Sequence, residues 1–472
     1  MNSGNVQNYC PQSLLESISN RVKSSFRDPS GYVYKQNGEI LRVINKPYQK
    51  TWQALNSTSL LNKVLEAGLV IPFEKAPDSA GGLPTIKSEL IPFVSYPYEW
   101  CFGQLKAAAL HTLSLQILCL ENGFSLKDAS VYNIQFKGAK SAFIDHLSFE
   151  QRIEDKPWSG YLQFCKHFYA PLILAKYYSF PILKLFSSWI DGLPLDFASS
   201  LLPITSYLSP NIAIHIHAHA KMQAKHSDAR KSSSKVKSLR ISKQSVINLC
   251  QALYNSIEQT KLPQVKTEWG DYYQDTNYTE EAEAEKKALL NNIASQHSGS
   301  LAVDLGANTG VYSKILSNHY SYVIAADIDA LAVEKHYQLL KKENNQKILP
   351  LVFDLGNPSP GIGWGNEERD TFQSRCQADC ISALALIHHL VMTAGIPFSL
   401  VAEYFASLLK PGGILIFEFV PKEDSQVQRL LAAREDIFDD YTESTCLSAF
   451  SKYFEITERF GISESLRSIH VF

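Results

Sequence analysis

The spacing of apolar residues changes period along this chain. Over residues 31–44, GYVYKQNGEILRVI, apolar and polar positions alternate on both sides of Asn37-Gly38. That dipeptide supplies the two positive-φ residues of a tight hairpin, so the chain is expected to begin with sheet. Helical periodicity takes over at 51–67 and a Pro/Gly-rich loop at 76–84, and the apolar run 90–94 reads as a strand. Residues 107–122 predict a largely apolar helix stopped by Gly123.

After residue 300 short apolar runs alternate with helical stretches, the pattern of a parallel sheet. The first run, within LAVDLGANTGVYS at 301–313, leads through a glycine loop into a helix. Glycine is required where backbone must approach a ligand closely, because a β-carbon would collide with it. The second run, SYVIAADID at 321–329, carries Asp327, twenty-one residues beyond Gly306. An acid about 20 residues past such a loop, at the end of the second strand, accepts hydrogen bonds from ribose hydroxyls. A third strand at 348–353 ends on Asp354, an acid able to meet the edge of an adenine ring. The fourth, DCISALALI at 379–387, delivers His388 and His389 at its carboxyl end. Pro411-Gly412-Gly413 reads as a turn before a fifth strand at 414–420. The chain closes with runs at 453–460 and 468–472 around a turn at 463–465, and a terminal hairpin is unlike an ordinary dinucleotide fold.

This succession closely resembles the class I S-adenosylmethionine (SAM) dependent methyltransferases, from about residue 267 to the end. The resemblance implies a seven-stranded Rossmann-like sheet, SAM as cofactor, and a glycine loop holding the methionine part of SAM. Carried onto this sequence, the cofactor residues are Asp304, Gly306, Asn308 and Gly310, with Asp327 on the ribose and Asp354 facing adenine; Asn308 stands where many members carry glycine. The stretches TEWGDYYQDTNY, NPSPGIGW, ALIHHL and EFVPKEDSQVQRLL further resemble the nodulation-related methyltransferase-like proteins of rhizobia, a likeness that names no substrate.

Composition sets bounds. A chain of 472 residues normally holds two or three domains, since single cores seldom exceed about 250–300 residues. The net charge of -2 implies no global attraction to nucleic acid or anionic membrane. Eight cysteines without C-x-x-C spacing, and a start without a basic stretch and apolar core, lead to the expectation of a reduced, cytoplasmic protein. The apolar, aromatic stretch 161–204 is broken by lysines and prolines and reads as buried helices, with interfacial membrane contact as a lesser alternative.

The amino-terminal part carries a second resemblance. In FSLKDASVYNIQFKGAKSAFIDHLSFE, Asp128 and Asn133 are five apart, with a strand on each side of Lys137-Gly138 and Asp145 following. This spacing resembles the catalytic and metal-binding segments of kinase-like phosphotransferases, where such residues serve base and magnesium roles. It departs from that pattern: no glycine-rich loop precedes it, Leu126 stands at the usual histidine position, and the strand lysine is unassigned, with Lys46 and Lys50 as candidates. A structural or acceptor-binding domain, in which Asp128 and Asn133 bond a loop, is the alternative. His215 and His219 sit one helical turn apart around His217; hydrogen-bonded core histidines are favoured over a zinc pair that no acid or cysteine completes. Residues 225–243 read as an exposed basic connector without the interleaved aromatics of a single-strand binder.

Methyl transfer needs orientation more than acid–base chemistry, so the lack of a triad is no objection. For a hydroxyl acceptor, His388 or His389 is the candidate base, or both cap the fourth strand. Tyr272 could line the pocket or join the two domains. Glu418 is a further polar candidate, and the loop 357–364 shapes a pocket edge or covers the sheet. The expected division is an α+β domain of kinase-like outline at 1–205, a helical and basic linker at 206–266, and the methyltransferase domain at 267–472. The function expected is methyl transfer from SAM to an unidentified small-molecule or macromolecular acceptor chosen by the first domain, with no nucleic-acid signal, metal or transmembrane segment. Alternatives are a non-catalytic SAM-binding regulator with a pseudokinase-like domain, and a phosphotransferase fused to a methyltransferase.

Overall fold

The computed structural model describes residues 21–79, 81–222, 240–263, 279–432 and 435–472. It opens with β1 (Gly31–Gln36) and β2 (Glu39–Ile44), paired antiparallel around Asn37 (φ 51°) and Gly38 (φ 78°). With β3 (Phe73–Ala76) and β4 (Thr85–Ser88) they form an antiparallel sheet of order β1-β2-β4-β3. The periodic stretch 51–67 is two helices, Gln49–Asn56 and Leu60–Glu66. The strand expected at 90–94 is absent: β4 ends at Ser88 with both its sides already paired, and 90–94 is irregular, with Leu90 and Val94 exposed. Pro92 explains the difference, since it donates nothing to a ladder. The helix expected from residue 107 starts earlier, at Phe102, and ends at Glu121 before Gly123, whose φ of 82° lets the chain reverse. Then come β5 (Phe124–Leu126), β6 (Ile134–Lys137), β7 (Lys140–Phe143) and β8 (Phe149–Gln151), with β5 pairing β8 and β6 pairing β7. Helix Lys243–Gln259, inside the stretch expected as linker, packs on helix Phe102–Glu121, and Lys106 Nζ donates to the carbonyls of Glu258 and Thr260 at 2.7 and 2.9 Å.

The carboxyl-terminal sheet is built from β9 (Gly299–Leu305), β10 (Tyr320–Asp327), β11 (Ile348–Val352), β12 (Ala378–Ala383), β13 (Leu409–Phe419), β14 (Glu458–Gly461) and β15 (Ser468–Val471). Their order is β11-β10-β9-β12-β13-β15-β14. The first five are parallel, β15 runs antiparallel to β13, and β14 is antiparallel to β15. β9 to β12 are near-continuous apolar runs because helices cover both faces of a parallel sheet. Pro411-Gly412-Gly413 lies within β13, where the pairing with β12 jumps from Ala378/Leu409 to Cys380/Ile414; it is a bulge, not a turn before the strand. β12 stops at Ala383, so His388 and His389 lie past the strand, at the start of a short helical turn.

One hydrophobic core runs from Leu55 to Phe472, across both halves of the chain. The buried Arg375–Glu99 pair pins the halves together, with the Arg375 guanidinium 4.4 Å from the ring centroid of Tyr96 and 4.9 Å from that of Phe93. Glu334 accepts from Gly103 N at 2.7 Å, and Tyr322 Oη accepts from Gly138 N at 3.0 Å.

Candidate functional site

A cavity of about 330 Å³ opens at the carboxyl tips of β9 to β12. The strand order reverses between β9 and β12, which is where open parallel sheets bind ligands. Its wall takes Asp304, Gly306 and Asn308 from the end of β9, Asp327 from β10, Asp354 from beyond β11, and Leu384 to Leu386 from beyond β12. Gly306 (φ 75°) and Asn308 (φ 48°) both adopt left-handed backbone, folding the loop beneath the cavity. A β-carbon on Gly306 would sit 3.4 Å from Leu386 Cδ1, so the residue's smallness keeps open space. Gly310 (φ 84°) does not line the cavity; a β-carbon there would lie 2.0 Å from the His336 ring, so this glycine serves the packing of helix Val311–Leu316 on its neighbour.

Two carboxylates are buried at the tips. Asp327 accepts from Asn308 N and Asp329 N, both at 2.7 Å, and burial pushes its pKa up to about 6 against those bonds. Asp304 accepts from Ser313 Oγ at 2.6 Å and is likewise pushed up by burial to about 6. Asp354 lines the opposite wall and accepts from Gly356 N at 2.9 Å; Lys184, from the amino-terminal half, lies 4.0 Å from its Oδ2.

The two histidines are placed differently, although their rings lie 4.0 Å apart. His389 lines the cavity, and burial holds its pKa down at about 4. His388 is buried off the cavity, pushed further down by burial, and its Nδ1 has no hydrogen-bond partner among the described residues. Tyr272 lies outside the described residues.

A buried charge network backs the same cavity, and sequence reasoning found only Glu418 of it. Lys286, on helix Glu280–Gln296, lines the cavity and donates to Glu418 Oε2 at 2.7 Å, with Tyr312's ring centroid 5.0 Å away. Burial lowers the Lys286 pKa, opposed by Glu418. Arg467, from the terminal hairpin, lies 4.0 Å from Glu418 Oε1 and grips Asp424 at 2.8 and 3.1 Å. The available signals were a glutamate inside an apolar strand and an arginine at the start of the last apolar run, both costly to bury unpaired.

In the amino-terminal half, Asp145 Oδ1 accepts from Arg42 Nη1 at 2.5 Å and from Leu147 N at 3.1 Å, and Ser148 Oγ donates to Oδ2. Asp128 accepts from Ser130 N at 2.9 Å, and burial raises its pKa, with Asp145 adding to the effect. Arg42 on β2 is the cation beside Asp145, while Lys46 and Lys50 lie beyond the strand, in the turn and helix that follow it. His215 and His219 both meet Tyr161 Oη, at 2.6 and 3.2 Å, while His217 bonds Ser199 and Ser206 at 2.7 and 2.8 Å.

No family model matches the chain. Among solved structures it is similar to the N-methyltransferase NodS of Bradyrhizobium japonicum WM9, at 16% identity and TM-score 0.31 over 40% of this chain and 95% of that one. It is also similar to the magnesium protoporphyrin IX methyltransferase ChlM of Synechocystis PCC 6803 with bound S-adenosylhomocysteine (SAH), at 16% identity and TM-score 0.31 over 43% and 90%. The curated nodulation protein NoeA of Rhizobium meliloti (strain 1021) is 33% identical over 465 residues, 96% of each chain. Likeness of that depth, over nearly the full length of both, makes this chain a member of the NoeA family of nodulation proteins.

Proposed function

We propose that this chain transfers a methyl group from SAM to an acceptor that its amino-terminal half helps to select. The carrying observation is the cavity at the switch point of the seven-stranded sheet, with Asp327 at one strand tip and Gly306 open beside it. Its volume falls within the range of about 300–1,000 Å³ usual for small-molecule sites. Asp327 fits a ribose: each oxygen takes one backbone N–H, and a carboxylate offers about four lone-pair sites, so both oxygens can still accept from hydroxyls. Phe353 and Asp354 would flank the adenine, while Asp304, Asn308 and Lys286 surround the space for the amino-acid end.

Bound SAM supplies a methyl on a positively charged sulfur, a leaving group that needs no proton. The residues then have to orient the acceptor and exclude water. Near-attack positioning is worth about 7–11 kcal/mol, more than the roughly 3–5 kcal/mol of a 10²–10⁴-fold acid–base effect. His389 is neutral at pH 7 and offers a lone pair to an acceptor's hydroxyl or amine hydrogen.

For the amino-terminal half we propose a kinase-like outline serving the acceptor, within the division 1–205, 206–266 and 267–472. Supporting it are the antiparallel sheet, the β6–β7 hairpin and Asp145 meeting a strand cation. Arg42, Ser148 and Leu147 N already hold Asp145, which favours a braced loop over a magnesium site.

Calorimetry of the full chain with SAM tests the main reading: wild type binds, and Gly306→Arg, whose side chain fills ligand space, does not. Equal affinity of the two, or no binding by wild type, sinks it. Mass spectrometry of extracts incubated with the protein and labelled SAM then identifies the acceptor.

A further inference from the structure

Charge is laid out unevenly on this chain. The whole carries -2, yet residues 156–243 hold twelve Lys and Arg against three Asp and no Glu. Exposed apolar side chains concentrate in the same stretch. Ile204 and Leu208 are each 84% exposed, and Tyr207, Ile214 and Met222 are exposed with them.

These residues adjoin one another. The turn Ile204–Leu208 packs on the helical segment that follows it, Pro210–Ile212 continuing through Ala213–Ala218. Tyr207 stacks on His217 at 3.7 Å, and the Lys221 ammonium lies 5.2 Å from the Tyr207 ring centroid. Along the segment Ile212, His215, Ile216 and His217 face inward, where the histidines find Tyr161, Ser199 and Ser206. Ile214, Ala218, Lys221 and Met222 face outward. No carboxylate occurs between Asp196 and Asp228.

Single exposed aliphatics are ordinary on a folded surface, but a contiguous group marks a contact. Side chains this exposed protrude; they do not line a groove that a partner's anchor residue could fill. Protruding aliphatics beside lysines suit the boundary between lipid headgroups and acyl chains. Lys221, beside the Tyr207 ring and with no carboxylate near it in sequence, favours anionic over neutral lipid. Among the described residues no helix is long and apolar enough to cross a bilayer, so the contact is with its surface. We propose that this face seats the protein on an anionic phospholipid surface, with Ile204, Leu208, Ile214 and Met222 entering the headgroup boundary and Lys221 pairing with a lipid phosphate.

Co-sedimentation of the full chain with vesicles tests this, using phosphatidylcholine alone and phosphatidylcholine mixed with phosphatidylglycerol, at low and high salt. The protein is expected to pellet with the mixed vesicles and to be released by salt. The double variant Ile204→Asp, Leu208→Asp is expected to bind them at least about tenfold more weakly, with its circular dichroism and SAM affinity unchanged. If that variant misfolds, Lys221→Glu with Met222→Ser takes its place with the same expectation. No partition of wild type onto mixed vesicles overturns the proposal, as does equal partition of a folded variant. Loss of a dimer in light scattering, with vesicle binding intact, also overturns it and assigns the face to self-association.

Discussion

Burial sets the chemistry of the individual cavity residues. Asp327, a carboxyl with an ordinary pKa of 3.8, is pushed up to about 6 because burial leaves its charged form little solvent. In the proposed function the ionised carboxylate would accept from ribose hydroxyls on both oxygens and the protonated one on fewer. Affinity for SAM should therefore be level above about pH 7 and fall as pH drops through 6, read by calorimetry between pH 5.5 and 8. Without ligand the same shift acts on stability with the opposite sense: a pKa raised above the unfolded value of 3.8 gives stability that is present below that value and lost as pH rises through about 6. Replacing Asp327 by Asn should cost about 1.5–3 kcal/mol of SAM binding, roughly 10- to 150-fold, and flatten part of the pH response. The histidines give a second test. His389→Ala should lower kcat by about 10²-fold, with little pH dependence above pH 5.5, because its pKa lies near 4. His388→Ala should instead lower the thermal midpoint and leave the turnover of folded protein intact. Equal, small losses in kcat would remove histidine from the reaction.

Among the elements, the glycine loop separates two roles that its spelling merges. Gly306→Ala adds a β-carbon at ordinary contact distance and costs chiefly the left-handed backbone, about 1–2 kcal/mol. Gly310→Ala adds the same strain and drives a β-carbon into the His336 ring, about 2–5 kcal/mol together. Urea denaturation of both variants checks the order; Gly310→Ala combined with His336→Ala should regain the packing part, and failure to do so would mean that the backbone alone demands glycine. Asn37-Gly38 and the ends of β10 at Asp327 could be read from sequence because local chemistry decides them: positive φ in one case, an apolar run closed by an acid in the other. The run at 90–94 misled because hydrophobicity says nothing about Pro92's missing donor. The bulge at Pro411-Gly412-Gly413 shows only in the register of β13 against β12, a pairing that the local sequence does not carry. The Lys286–Glu418 pair joins residues 132 apart, a distance at which no periodicity speaks.

In the whole molecule the two halves share one core, and a buried ion pair is among the contacts that join them. Glu99 and Arg375 are nearly inaccessible to solvent, with side chains 1% and 5% exposed, and Arg375 also donates to Val94 O at 2.5 Å. A buried pair of this kind adds little over an apolar substitute, but breaking it leaves a charge without compensation and costs about 3–5 kcal/mol. Glu99→Ala should thus lower the stability of both halves together. Gly103 and Gly138 reach the carboxyl-terminal half through backbone N–H groups, so the junction does not depend on one ion pair for its position. Unfolding in urea, followed by tryptophan fluorescence and by circular dichroism, should give one transition in wild type and one in the variant, at a lower midpoint. Two transitions, with Glu99→Ala moving only the first, would mean that the halves unfold independently. A single transition ties the position of Lys184, 4.0 Å from Asp354, to the same rigid body as the cavity, so the first half can bear on what enters it.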